Sequence, residues 1–271
     1  MAKGFNINSM VINRAIDCFM LDKATGEQIF YANQIKEPKL AVGGEQVKAE
    51  DALGQIIATF DRSKTASLEC SNALFSFDLV KAQLGAKKEV ASDSSKIVTP
   101  SVELIELKDK AKCKLKHKPV TGSLKYIYST FPDRTADKMY KLGSGSATAD
   151  TFVIGGTDGK EITLPTAPDA FSVGDKIIAI YNYEATKAVK VTNRADVFGK
   201  GGKFVLRVLA ADVCDTNTEY LTYIIFGNAK LKNDFDLTIG TTAEHGLSVE
   251  AIQDYCAATN DLFSIIVAGD E

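Results

Sequence analysis

Short runs of β-branched and aromatic residues recur through the sequence, each bounded by Gly, Asp or Asn at the spacing of antiparallel strands. The clearest runs are residues 177–183, 188–192, 204–210 and 220–226. They leave little of the chain for helices, so sheets must supply most of the apolar surface that a core buries. The sequence therefore predicts a mainly β protein in which sheet packs on sheet.

Two segments have helical periodicity. Residues 74–84 follow a polar Ser71-Asn72 cap and end at Gly85. The apolar face of this predicted helix carries Leu74, Phe75, Leu79 and Ala82. A second, weaker helix is predicted for residues 249–256. Two short helices cannot cover both faces of a large sheet, which again favours packing between sheets.

Lysine alternates with other residues from residue 105 to residue 118 (IELKDKAKCKLKHK). On a strand, period two places all six lysines of this segment on one face, and the candidate interface residues among them are Lys110, Lys112, Lys114 and Lys116. The apolar phase changes just upstream, which predicts a β-bulge near Leu104 and Ile105. A lysine face either protects a sheet edge from aggregation or contacts an acidic surface or nucleic acid.

Composition limits the classes of protein that this chain can belong to. The five cysteines stand singly without a C-x-x-C pair, which predicts free thiols in a reducing compartment. Only five of the 32 basic residues are arginine, which disfavours sequence-specific nucleic-acid binding. The formal net charge is −3, positive before residue 140 and negative after it, which suits head-to-tail contacts between copies. Neither a signal peptide nor a membrane-spanning run is predicted.

No constellation of residues predicts an enzyme, a metal site or a cofactor site. Both histidines, His117 and His245, are expected on the surface, outside any nucleophile-elbow context. Cys113 and His117 are four residues apart, and on a strand that spacing separates them by about 13 Å, too far to share a metal. The string at residues 199–203 (GKGGK) lacks phosphate-loop spacing and predicts a turn.

Four segments resemble bacteriophage tail tube proteins. A polar-alternating strand leads directly into a short amphipathic helix at residues 62–85. Residues 173–183, the turn region 195–203 and residues 229–239 (AKLKNDFDLTI) are similar to the C-terminal half of tail tube and related virion proteins. Together these segments cover about a third of the chain.

The resemblance implies a β-sandwich or barrel-like tail-tube fold with one flanking helix and an additional small β-subdomain. Six copies would form a ring whose sheets join into an inner barrel, and rings would stack into a virion tail tube. Its partners would be itself, other tail proteins and DNA passing through the lumen, with no membrane. The protein would be synthesised in the bacterial host cytoplasm. The predicted core comprises residues 1–140 and 199–271, and residues 141–198, which contain the linker-like GSGSATAD, are the predicted insertion.

Two other functions are open at this point. One is a phage head-decoration or neck protein, and the other is a carbohydrate-binding β-sandwich module. The absence of tryptophan disfavours the latter, since sugar-stacking platforms favour that residue. Lysines lining a DNA channel would bind phosphate and hinder DNA passage. Lys110, Lys112, Lys114 and Lys116 are therefore predicted at a subunit interface or on the outside.

Overall fold

Most of the described chain forms strands, and along several of them buried and more exposed side chains alternate. The computed structural model describes residues 9–132, 135–167, 170–235, 237–238, 244–255 and 259–268. In chain order the elements are β1 (Met10–Leu21), β2 (Gln28–Ala32), β3 (Ile35–Glu50), β4 (Ile56–Asn72), α1 (Phe77–Leu84), β5 (Lys87–Val90), β6 (Ile97–Glu106), β7 (Lys112–Lys114), β8 (Tyr126–Thr130), β9 (Ala136–Leu142), β10 (Thr151–Gly155), β11 (Glu161–Thr163), β12 (Lys176–Ala185), β13 (Val189–Thr192), β14 (Gly201–Asp212), β15 (Asp215–Leu231), β16 (Leu237–Thr238), β17 (Glu244–Ala251) and β18 (Ser264–Ala268). The mainly β fold class predicted from the sequence is confirmed.

The chain divides into two compact units. Unit 1 comprises Met1–Lys88 and Val191–Glu271, and unit 2 is Glu89–Lys190. This division differs from the predicted insertion at residues 141–198. The reason is strand pairing, because β6 and β8 pair with β12 rather than with the strands of unit 1. The GSGSATAD segment is a loop of unit 2 between β9 and β10, tied down by the Gly143 N–H, which donates to the Phe152 carbonyl at 2.8 Å.

Unit 1 is built on one curled nine-stranded sheet. Its order is β2-β1-β14-β15-β17-β4-β3, with β16 beside β17 and β18 beside β15. One face of the sheet and α1 enclose an apolar core, whose fully buried members include Met20, Leu68, Leu79, Phe204, Leu206, Phe226 and Val249. Burying these side chains stabilises the unit by the hydrophobic effect, at about 1.5–3 kcal/mol for each large aliphatic or aromatic residue.

Unit 2 has its own sheet and its own core. Its seven strands run in the order β6-β12-β8-β9-β10-β11-β7. Phe152, Ile162, Ile177 and Tyr181 lie at the centre of its buried cluster. β5 and β13 form a separate two-stranded sheet where the chain passes from one unit to the other. No helix among the described residues has the length and apolar content needed to cross a membrane.

The helix α1 starts later than residue 74. Ser76 caps it, and its hydroxyl oxygen accepts a hydrogen bond from the Leu79 N–H at 3.3 Å. Upstream, the Asn72 side-chain amide donates to the Leu74 carbonyl at 2.6 Å, which holds residues 72–74 in a turn. Ser76 satisfies an otherwise unpaired amide of the first helical turn, so the helix begins at Phe77 rather than after Ser71-Asn72.

This shorter helix changes the predicted apolar face. Leu79 and Ala82 are buried in the core of unit 1, as a helix–sheet contact requires. Leu74 and Phe75 precede the helix and are 55% and 44% exposed. These two residues were predicted as part of the packed face, and the prediction is wrong for them because they lie in the turn before the first helical residue.

We expect Leu79→Ala to lower the free energy of unfolding of unit 1 by about 2–5 kcal/mol, because it leaves a cavity in a closely packed core. Leu74→Ala is the matched control and should change stability by less than about 0.5 kcal/mol, since that side chain is exposed. Chemical denaturation followed by circular dichroism measures both. Equal midpoints for the two variants would contradict the placement of α1.

The predicted second helix is wrong. Residues 244–251 form strand β17, in which buried and less buried side chains alternate with period two. Leu247 and Val249 point into the core and pair with Cys70 and Leu68 of β4. Cys256, at the end of that prediction, lies outside the described residues. Local helical spacing was overridden by pairing with a distant strand.

The predicted β-bulge is also wrong. β6 pairs with β12 in unbroken register over its whole length. Odd-numbered residues point inward throughout, including the buried Glu103. Val102 and Leu104 therefore point outward, where they are 70% and 43% exposed. The apolar residues shift from even to odd positions because Val102 and Leu104 are apolar side chains on the outer face. No extra residue is inserted in the strand.

His245 is buried, contrary to the prediction of a surface position. Its Nε2 lies 2.7 Å from the Gln83 side-chain oxygen, and the Gln83 amide donates to the Gly246 carbonyl at 2.8 Å. Phe75 stacks on the imidazole at 5.8 Å between ring centroids. Nδ1 is buried without a hydrogen-bond partner among the described residues. The other histidine, His117, is exposed as predicted.

We expect unit 1 to lose stability as the pH falls below about 6.5, the ordinary pKa of histidine. Burial lowers the pKa of His245, so the unfolded chain takes up a proton more readily than the folded one. Protonation would place an N–H on the unpartnered Nδ1. His245→Gln should flatten the dependence of the denaturation midpoint between pH 7 and pH 5. An unchanged slope would contradict this account.

The described cysteines are free thiols. Cys18, Cys70 and Cys113 are buried, and Cys214 is exposed. Hydrogen bonding to Cys70, together with burial, raises the pKa of Cys18. Burial raises the pKa of the Cys113 thiol to about 12. The three buried cysteines therefore pack as small apolar side chains and react slowly.

Candidate functional site

The lysine-rich segment lies on unit 2, where only part of it is strand. β7 covers three residues, Lys112–Lys114, and residues 108–111 form a bend in place of the predicted continuous strand. The Asp109 carboxylate accepts from the Ala111 N–H at 2.9 Å and stabilises that bend. Around β7 the predicted alternation is present, since Cys113 and Leu115 are buried while the intervening lysines are exposed.

Two of these lysines have acidic partners within unit 2. Lys112 contacts Glu161 at 2.7 Å, and Lys114 contacts Asp158 at 2.8 Å. The hydrogen bond to Glu161 raises the pKa of Lys112, and the hydrogen bond to Asp158 raises the pKa of Lys114. Exposed pairs of this kind contribute little to stability, but they neutralise part of the lysine face.

A buried pair fixes the backbone after β7. The Tyr181 hydroxyl donates to the Glu103 carboxylate, and both side chains are buried. Glu103 also accepts from the Lys116 N–H at 3.1 Å, and the Tyr181 oxygen accepts from the His117 N–H at 3.1 Å. Burial, with the bond to Glu103, raises the pKa of Tyr181 to about 12. Lys116 is thereby held at a fixed place on the surface.

Unit 1 carries a four-stranded antiparallel segment with two open edges. β1, β14, β15 and β18 are hydrogen-bonded in that order. Their register forms continuous rows, for example Arg14, Leu209, Leu221 and Ala268. β2 pairs with β1 only from Cys18 onward. Among the described residues, no strand pairs with the outer edge of residues 10–17 or of β18.

An ion pair lies on the outward face of this segment. The Asp17 carboxylate is buried and accepts from Arg207 through two guanidinium nitrogens, with Nε at 2.7 Å. The Tyr31 hydroxyl donates to the same carboxylate at 2.9 Å. Burial alone would raise the pKa of Asp17, but the bonds from Arg207 and Tyr31 outweigh it and lower that pKa. The charge of Arg207 is thus compensated within the chain.

A long hairpin extends beyond the nine-stranded sheet. β4 pairs with β17 only over Ser67–Asn72, whereas its pairing with β3 continues to the turn at residues 51–55. We call residues 42–65 the arm. Its side chains are exposed, apart from three of intermediate exposure, Val47, Ala49 and Ala58. An isolated two-stranded ribbon is only marginally stable in water, so the arm is suited to contacting another surface.

The arm has one apolar side. Val47 pairs with Phe60 and Ala49 pairs with Ala58, so these four side chains share one face of the ribbon. On the opposite face Lys48 pairs with Thr59, and the Gln46 amide donates to the Asp61 carboxylate at 2.7 Å. The apolar side has no cover among the described residues, and Phe60 is 57% exposed.

Unit 2 also has an uncovered apolar face, formed by the outward side chains of β6, β12, β8 and β9. One row across these strands consists of Leu104, Ile178, Tyr128 and Met139. Val98, Val102, Ile180 and Tyr126 extend the same face, and all four are exposed. We call these eight residues the outer apolar face. A contiguous apolar surface of this kind typically marks an interaction site.

Comparison with known proteins decides the family. The sequence profile of the YomU/Tube protein family matches residues 10–261. The chain belongs to this family. It is therefore a phage tail tube structural protein, as the resemblance of residues 62–85, 173–183 and 229–239 implied. No curated protein gave a significant match to the sequence.

In a protein of the tube family, the open edges, the arm and the outer apolar face are candidate contacts with other protein chains. The family implies assembly with further copies and with other tail proteins, and a location in the virion. It is a structural family, which suggests that this tube protein is not an enzyme. Among the described residues, no group of three or more His, Cys, Asp or Glu side chains could hold a metal ion.

Sequence reasoning singled out the lysines but missed the arm and the outer apolar face. A signal for the arm was present in residues 45–62, where period two continues through both strands on either side of a polar turn. The signal for the outer face is the shifted phase at Val102 and Leu104, a pattern that also predicts a bulge. Neither signal shows whether other parts of the protein pack against that face, because such packing depends on tertiary structure.

Proposed function

We propose that this tube-family protein forms rings of six copies, that the rings stack into a tail tube, and that phage DNA passes through the lumen. The observation that carries the proposal is the pair of open edges in the four-stranded segment of unit 1. A sheet with two exposed edges pairs readily with further strands, and ring closure removes every edge.

Strand direction supports joining at these edges. β1 and β14, β14 and β15, and β15 and β18 are all antiparallel. Because the segment has an even number of strands, β18 of one copy lies antiparallel to β1 of the next copy when the edges meet. The hydrogen-bond pattern then continues around the ring without a parallel junction.

The channel also needs a wall that does not hold DNA. A wall with free arginines or lysines would bind phosphate by counterion release. The Asp17–Arg207 pair on the outward face compensates one such cation, and Tyr31 holds the carboxylate in place. Arg14, in the row of Leu209 on the same face, is exposed without an ion pair among the described residues. Compensation of Arg207 lowers the positive charge of this face, which favours it as the lumen wall.

The arm supports ring stacking. Its uncovered apolar side cannot be satisfied within the described part of its own chain, and a neighbouring copy is the partner that the family supplies. Contacts that link unlike surfaces of successive copies repeat without limit and generate a long tube.

The lysine face is a second proposed subunit contact. Lys112 and Lys114 are already paired with Glu161 and Asp158, so they offer less net charge than predicted. Lys110 and Lys116 are exposed and have no ion pair among the described residues. We place the contact with an acidic neighbouring surface mainly at these two lysines. Glu103 and Tyr181 fix the backbone at Lys116, and Lys110 lies in the bend at residues 108–111.

Negative-stain microscopy of the purified protein over rising concentration tests the proposed function. We expect hollow tubes with a regular axial repeat, because open edges and arms should drive self-assembly. Single protein particles at every concentration would contradict the proposal. Isolated rings that never stack would instead favour a neck or head-decoration role.

A further inference from the structure

We propose that the apolar side of the arm of one copy binds the outer apolar face of unit 2 of another copy. The inference rests on the proposed function and names both partners of the contact between copies. Both surfaces consist of apolar side chains held at fixed register on antiparallel strands. Neither is covered among the residues that the structure describes.

The chemistry of the outer apolar face selects an apolar partner. Its centre carries Val102, Leu104 and Ile180, with no charged side chain between them on the paired strands. Charges lie at its edges, where Lys176 faces Glu106 at 3.8 Å, Lys96 pairs with Glu184 at 3.1 Å, and Lys141 lies opposite Tyr126. Because the centre of the face is apolar and most of the surrounding charges are paired, the face suits a near-neutral protein ribbon better than DNA or another polyanion.

The arm meets that requirement. Val47, Ala49, Ala58 and Phe60 present one continuous apolar strip. At the end of the ribbon nearest the sheet, Glu45 pairs with Arg62 across the strands, so the charge there is balanced as well. The polar face, with its Gln46–Asp61 hydrogen bond, would remain in water. The aromatic ring of Phe60 supplies the largest single contact, as in other interfaces where one buried aromatic side chain contributes most.

Symmetry favours the arm over a second outer apolar face as the occupant. A contact between two identical faces has a two-fold axis and closes after one pair. A contact between two different surfaces of the same chain leaves one of each free and continues indefinitely. Stacking of rings in one direction requires the second kind.

The size of the outer apolar face fits a contact that forms only within an assembly. Four strands about 4.8 Å apart and six residue steps of about 3.3 Å span roughly 300 Å². A stable complex of two proteins buries about 800 Å² on each partner. The contact is therefore too small to hold two free copies together, and it contributes when other contacts already bring the copies close.

Photo-crosslinking in assembled tubes tests the contact directly. Benzoylphenylalanine in place of Phe60 should crosslink to residues 97–106, 126–130 or 176–185, and mixing ¹⁵N-labelled with unlabelled protein should show that the link joins two copies. The same amino acid in place of Thr59, on the polar side, is the control and should give a much lower yield. Tubes whose links from position 60 fall elsewhere would overturn the inference and leave the proposed function intact. If the unmodified protein forms no tubes, the proposed function and the inference fail together.

A double-mutant cycle gives a second, independent measurement. Phe60→Ser and Ile180→Ser each remove an exposed apolar side chain, so the separate copies should unfold at unchanged temperature. Each should raise the critical concentration for tube growth roughly tenfold, because a buried side chain of that size is lost from the contact. The double variant should raise it no further than one change alone, while Val173→Ser, exposed but outside the face, should have no effect. Independent effects that multiply to roughly a hundredfold would overturn the inference.

Discussion

Proline at one of two neighbouring positions of β18 should abolish tube formation without destabilising the separate protein. Alternate residues of a strand direct their N–H groups to opposite edges, so Ile265 and Ile266 differ in which edge they serve. One N–H lies toward β15, and its loss weakens unit 1. The other lies toward the open edge, and its loss removes a donor that the next copy needs.

Comparing Ile265→Pro with Ile266→Pro therefore separates folding from assembly. Thermal unfolding identifies the variant that retains wild-type stability, and we expect that variant to remain single particles in negative stain at concentrations where the wild type forms tubes. Ile265→Val and Ile266→Val are the controls and should assemble normally. Normal tubes from the stable proline variant would exclude β18 from ring closure.

Gly85→Ala should destabilise unit 1 by about 3 kcal/mol or more. Gly85 ends α1 with a left-handed φ of 63°, a conformation that costs L-residues about 1–2 kcal/mol. A Cβ at this position would also lie 2.3 Å from the carbonyl oxygen of Phe198, which belongs to the backbone and cannot rotate away. Overpacking of this kind adds about 1–3 kcal/mol.

Gly26→Ala is the matched control for that change. Gly26 has a similar φ of 73°, but a Cβ there would meet nothing within 4 Å. The control should therefore lose only the conformational part, about 1–2 kcal/mol. Chemical denaturation gives the free energy of unfolding that each variant loses. The difference between the two losses is the contribution of the close approach of α1 to residues 198–199. Equal losses would mean that this approach does not constrain the fold.

Local sequence pattern predicted features that local chemistry determines. The strands containing residues 177–183, 204–210 and 220–226 are present because runs of β-branched residues suit a pleated, half-buried surface. The end of α1 was predicted correctly at Gly85, since a left-handed cap depends on one residue type. Its start was placed too early because Ser71, Asn72 and Ser76 are all acceptable caps.

Features that depend on distant partners could not be predicted in this way. Residues 249–251 have helical spacing, but β4 offers a pairing partner, and they extend a strand instead. His245 is polar in sequence, yet Gln83, 162 positions away along the chain, gives it a hydrogen bond inside the core. Likewise, only tertiary pairing shows that Lys112 and Lys114 meet acids of their own unit rather than those of a neighbour.

Hydrogen–deuterium exchange of tubes and of separate copies tests the central claim most directly. If rings close by joining β18 of one copy to β1 of the next, amides in residues 10–17 and 264–268 should become strongly protected on assembly, because open-edge N–H groups acquire carbonyl partners. Amides of β14, which already pairs with β1 on one side and β15 on the other, serve as the internal reference and should change little. Tubes in which both edge segments exchange as fast as in separate copies would contradict ring closure through these edges.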